Sequence, residues 1–168
     1  MAGDLTWWVP FVVFNLVIAV QDFRWRRVPN SWLVAALAAQ AVWLLAVLHG
    51  WASPGAGAAG FAAALAAFGL AMIVFFPLWR LRALGAGDVK YIATLGFLLG
   101  PQTLIPVLVA GTLASGLHAA AIVVRYGWTQ ARAAWRPPSG TGRRGIPYAA
   151  YLALAAITWL AWTGALRN

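Results

Sequence analysis

The sequence predicts an all-α, polytopic membrane protein of about six transmembrane helices. Three observations lead there. Of the 168 residues, 63% are hydrophobic and only 9% are charged, against about 45–50% and about 25% in ordinary globular domains; too little polar sequence remains to cover a soluble core. No Asp, Glu, Lys or Arg occurs from Ser31 to Trp79. That run exceeds the roughly 20 apolar residues that cross a bilayer, so it holds two spans joined by a turn. The apolar runs are also continuous and do not alternate, which argues against a β-barrel and for helices, which satisfy their own backbone in lipid.

Turn and charge signals place the spans near residues 7–23, 31–49, 57–79, 88–99, 102–124 and 146–164. The first has no basic leader region and no small-residue cleavage site, so it reads as a retained span and not a cleaved signal. The second and third share the uncharged run, and Ala62–Ala67 suits close helix packing, as does the stretch from Gly111 to Gly116 in the fifth. Gly100-Pro101 supplies the turn between the fourth and fifth. Before the sixth, Arg136-Pro137-Pro138-Ser139-Gly140-Thr141-Gly142 reads as a flexible loop. With no internal repeat, residues 1–168 form one domain.

Twelve Lys and Arg residues face three acids, a formal charge of +9. The basic residues cluster beside hydrophobic segments, the pattern of cytosolic loops against anionic headgroups, and so point to a lipid partner and not to nucleic acid. Arg24, Arg26 and Arg27 follow span 1; Arg80, Arg82 and Lys90 flank the start of span 4; Arg125, Arg132, Arg136, Arg143 and Arg144 precede span 6. Only Arg167 falls on the other side. By the positive-inside rule the three loops are cytosolic and both termini lie outside. Trp7, Trp8, Trp51, Trp159 and Trp162 would then mark the outer interface, and Trp25, Trp32, Trp79, Trp128 and Trp135 the inner one. Cysteine is absent, which excludes disulfides, thiolate metal sites and Cys nucleophiles.

The acids carry the chemistry. Asp4 reads as a solvated charge in an outer tail. Asp22 ends span 1 and Asp88 begins span 4, on the same side of the membrane. Asp22 lies about 15 residues beyond Trp7, roughly 22 Å along a helix, and Asp88 about 12 residues from Gly100, roughly 18 Å. Against roughly 30 Å of hydrocarbon both carboxyls are slightly submerged, and acids at that depth are functional or paired. Two nearby carboxyls share a proton, leaving one acid and one base to activate water for peptide hydrolysis without metal or cofactor. Taken singly, each has a plainer reading: Asp88 as a helix N-cap, and Asp22 as an ion pair with Arg26 one turn along.

Gly85-Ala86-Gly87-Asp88-Val89-Lys90 resembles the G-x-G-D-x-K signature of the prepilin peptidase family of intramembrane aspartic peptidases. Asp22 to Asn30, an Asp, a basic loop and then Val28-Pro29-Asn30, resembles that family's first motif, and Ile146-Pro147-Tyr148 the start of its last helix. The resemblance covers nearly the whole chain. It implies removal of the short basic leader from prepilin or pseudopilin precursors at the cytosolic face of a bacterial inner membrane, with Asp22 and Asp88 as the catalytic pair. Gly85 and Gly87 lack side chains, so the backbone there can approach a partner helix or a substrate closely. Lys90 tunes the pair's charge or snorkels to headgroups, with snorkelling favoured. The chain has neither the length nor the cysteines of the larger, N-methylating members. It resembles the minimal, peptidase-only form serving Flp/Tad pili, without a methyltransferase domain.

His49, near the outer end of span 2, reads as solvated. His118, beside Ser115 and Gly116, reads as a helix-packing contact, since two distant histidines do not make a metal site. The alternatives are a proton-coupled carrier, in which submerged acids relay protons, and a non-catalytic membrane protein of pilus assembly. Against the carrier, both acids cluster at one face and nothing polar continues across to the outside.

Overall fold

A computed structural model describes residues 2–52, 60–135 and 146–165 and, among them, only helices: α1 Ala2–Trp25, α2 Asn30–Leu48, α3 Phe61–Arg80, α4 Ala86–Trp135 and α5 Tyr148–Ala165. Four contain stretches long and apolar enough to cross a membrane, and α5 is a shorter apolar helix. The loop expected at Arg136–Gly142 lies outside the described residues. Asp4 is in the first turn of α1 and not in a tail.

The fourth and fifth spans form one element, α4, broken at Gly100, whose φ of 71° and ψ of 173° are not helical. Gly tolerates that positive φ, and Pro101, without an N–H, is suited to starting the next arm. The chain doubles back at this joint. A Cβ on Gly96 would lie 3.3 Å from Leu104 Cδ2, whereas an unbroken helix would separate the two residues by about 12 Å along its axis. The arms 86–99 and 101–126 thus supply the two spans, and a second break at Gly127 (φ 74°) precedes the helical residues 128–135.

The other helices end by recognisable backbone devices. Gly50 (φ 72°) terminates α2, with Gly50 N–H on Val47 O and Trp51 N–H on Ala46 O. Arg82 (φ 59°) terminates α3 with the equivalent bonds from Arg82 to Trp79 and from Ala83 to Leu78. Both satisfy carbonyls that the last turn leaves open. α1 ends at Arg26 (φ 50°), whose N–H donates to Asp22 O at 3.0 Å.

The core lies between α1, the first arm of α4 and α5, where Ile18, Tyr91, Ile92, Leu95, Leu99 and Leu152 are fully buried. α2 and α3 turn large apolar residues outward, among them Val42, Leu48, Leu65 and Ile73. Lipid is as apolar as those side chains, so helices associate by close packing of small residues instead. Ala64, Ala67 and Ala71 form the buried face of α3, and a Cβ on Gly96 would sit 2.9 Å from Ala67 O. Gly111 likewise admits α5: a Cβ there would fall 3.0 Å from Leu152 Cα.

Candidate active site

Asp22 lies in the last turn of α1, only 6% exposed. Its Oδ2 accepts the N–H of Ala150 at 3.0 Å. Ala150 is the third residue of α5, and the first-turn N–H groups of a helix have no partner of their own. They also form its positive end, so a carboxylate fits there. Pro147 sets up that end, its carbonyl accepting the Tyr151 N–H at 3.3 Å. Arg26, one turn along, places its charge near Asp22, and the hydrogen bond that holds the carboxyl comes from Ala150. Arg26 has left the helix in the left-handed region, and its Nη1 is buried without a hydrogen-bond partner among the described residues.

Asp88 is the third residue of α4, not its N-cap; Gly85 occupies that place, with Val89 N–H on Gly85 O at 3.2 Å. The carboxyl folds back over the start of the helix, as a residue three after the cap can. A Cβ on Gly85 would lie 2.8 Å from Asp88 Oδ2, so this glycine makes room for the carboxyl itself. A Cβ on Gly87 would lie 3.2 Å from Val28 Cβ, so that one admits the loop between α1 and α2. Lys90 Nζ donates to Asn30 Oδ1 at 3.3 Å. That bond joins the two motif stretches, and the Lys90 side chain is exposed.

Asp22 and Asp88 line the same cavity, about 880 Å³ in volume, with Arg26, Val28, Asn30 and Gly87 among its other walls. The arrangement brings Asp22, Asp88, Gly85 and Gly87 to one cavity, and Lys90 reaches its edge through Asn30. The first turns of α5 are in turn fastened to the second arm of α4. Thr112 Oγ1 and the Tyr148 hydroxyl are 2.9 Å apart, and the Tyr151 hydroxyl lies 2.6 Å from His118 Nδ1. His118 is a packing residue, as expected, and Phe23 sets its ring edge-on to Tyr151 from α1.

Both Asp-bearing stretches fall within residues 9–120, which match the sequence model of the type IV leader peptidase family. The chain belongs to that family. The part of this leader peptidase family member that holds Asp22 through Ala150 lies beyond the matched range. No curated protein and no solved structure matches the chain.

Polar groups do continue away from the cavity, contrary to the sequence expectation. The Tyr91 hydroxyl donates to Asn15 Oδ1 at 2.5 Å, Asn15 Nδ2 to Phe11 O at 2.8 Å, and Trp7 Nε1 to Gln40 Oε1 at 2.8 Å. Two of these bonds join side chains of different helices and the third returns to the α1 backbone, which is how polar groups persist in an apolar interior. Asn15 and Gln40 were legible as polar residues inside apolar spans. Ala150 left no signal, because its backbone, not its side chain, meets Asp22.

Proposed function

We propose that this protein is an aspartic endopeptidase that removes the short basic leader of prepilin-like precursors at the cytosolic face of a bacterial inner membrane. The reading rests on one observation: two carboxyls far apart in chain order line a single cavity. The basic loop Arg24, Arg26 and Arg27 borders that end of α1, which supports its facing the cytosol and anionic headgroups.

A proton shared by the pair leaves one carboxylate and one carboxylic acid. The carboxylate removes a proton from a water whose oxygen attacks the scissile carbonyl carbon. The acid protonates the carbonyl oxygen; on collapse of the tetrahedral intermediate the amine leaves with the proton that the first carboxyl took from water, and the second carboxylate recovers a proton from the diol. The Ala150 N–H on one oxygen of Asp22 holds that carboxyl in place at the cavity wall.

The test is cleavage of a candidate prepilin in membranes by wild type, Asp22→Asn and Asp88→Asn. Asn keeps the acceptor that meets Ala150 or folds over Gly85, but it cannot exchange the proton. Both variants are expected to insert normally and to lose at least about a thousandfold in rate, the order expected from losing acid–base catalysis. Wild-type processing by either one refutes the dyad.

A further inference from the structure

We propose that Tyr91 and Asn15 act as a strut that sets the spacing of the two Asp-bearing helices, and so are positioning residues for the pair. This inference rests on the peptidase reading above. α1 and α4 carry the two carboxyls, yet their backbones hardly approach each other; α1 packs on α5, and α5 on α4. The direct tie between them is made by side chains. The Tyr91 ring lies against Phe14 with centroids 6.0 Å apart, and its hydroxyl donates to Asn15 Oδ1 at 2.5 Å. Both residues are 0% exposed, so no solvent competes for the bond.

The geometry of the tie is determinate. Asn15 Nδ2 donates to Phe11 O, one turn earlier in α1, which turns the amide oxygen towards Tyr91 and leaves the hydroxyl as donor. Tyr91 is three residues beyond Asp88 and Asn15 seven before Asp22, spacings that keep each on the helix face of its carboxyl. In axial terms the strut joins α4 about 4.5 Å from Asp88 and α1 about 10.5 Å from Asp22. The bond from the hydroxyl to the Asn15 amide, with the ring behind it, fixes the distance between the two helices beneath the cavity that both carboxyls line.

Tyr91→Phe removes the hydroxyl and keeps the ring, and Asn15→Leu removes the acceptor at similar volume. Kinetics are measured in membranes with a candidate prepilin. A misplacement approaching 1 Å lowers turnover by up to about a hundredfold, so each variant is expected to lose at least tenfold in kcat with KM unchanged. The double variant should lose no more than the worse single one. Separation is read independently of activity: the chain has no cysteine, so an Asp22→Cys/Asp88→Cys protein can be cross-linked with bismaleimides of graded length. Adding Tyr91→Phe is expected to change which length links most efficiently.

An unchanged length preference together with a kcat within twofold of wild type overturns the strut. So does failure of both variants to insert and fold, which would make the pair a general core contact. If wild type itself cleaves no prepilin, the peptidase reading falls, and the cross-linking arm still decides whether Tyr91 sets the spacing.

Discussion

Gly85→Ala separates activity from stability without touching either carboxyl. The new methyl carbon would lie 2.8 Å from Asp88 Oδ2, about 0.6 Å inside the 3.4 Å at which ordinary van der Waals contact begins. The atom in its way is the tip of a side chain, so the helix need not move; the carboxyl swings aside. Replacing Gly by Ala at a cap position costs up to about 1 kcal/mol, so the fold survives. A reactive group displaced by more than half an ångström is another matter, because a 1 Å error costs about a hundredfold in rate. The expected loss is therefore roughly tenfold to a hundredfold in kcat, with thermal unfolding in detergent little changed. Prepilin cleavage in membranes and an unfolding scan measure the two quantities. Gly69→Ala and Gly116→Ala, where an added Cβ meets nothing within 4 Å, serve as controls expected to cleave within twofold of wild type. Full activity in Gly85→Ala would show that the Asp88 carboxyl does not act from the position it takes over Gly85.

Two other substitutions address the packing that supports the site. In Gly111→Ala the added Cβ would meet Leu152 Cδ2 at 2.6 Å and Leu152 Cα at 3.0 Å. Here the obstacle includes backbone, so α5 must retreat at a cost of about 1–3 kcal/mol; a lowered unfolding temperature with reduced cleavage is the expected result, and unchanged melting would contradict the close α4–α5 contact. Gln40→Leu strips Trp7 Nε1 of its acceptor and should destabilise by about 1–3 kcal/mol, while Trp7→Phe with Gln40→Leu should fall well short of the sum of the singles. Strict additivity in that cycle would mean the buried bond contributes nothing.

The spans were legible because apolar length is a coarse signal that tertiary context does not override, and Gly100-Pro101 marked the joint within α4 because both residues disfavour a continuous helix. The two motifs also foretold which loops converge on the cavity. What the sequence withheld was pairing. In lipid, a residue facing the core and one facing the bilayer are both apolar, so periodicity does not reveal that Ile18 is buried while Val20 is half exposed. Tyr91 carries no local sign of its role, because nothing in its own span announces a partner on another helix. Asp88 looked like a cap since Asp favours that position, but Gly85, three residues earlier, took the cap and released the carboxyl to fold over it. The bond from Lys90 to Asn30 was not legible either, because it joins residues sixty positions apart.

The one-residue joint at Gly100 has a mechanical consequence. With no slack between them, the two arms of α4 behave as a bent lever and not as separate rods. If the arm bearing Asp88 slides outward by a given distance, the other is driven the same way at the shared elbow, and the groove at Gly111 that seats Leu152 shifts with it. α5 would follow, carrying the amide that grips Asp22. Substitutions near that elbow, far from either carboxyl, therefore have a rigid route by which to disturb both.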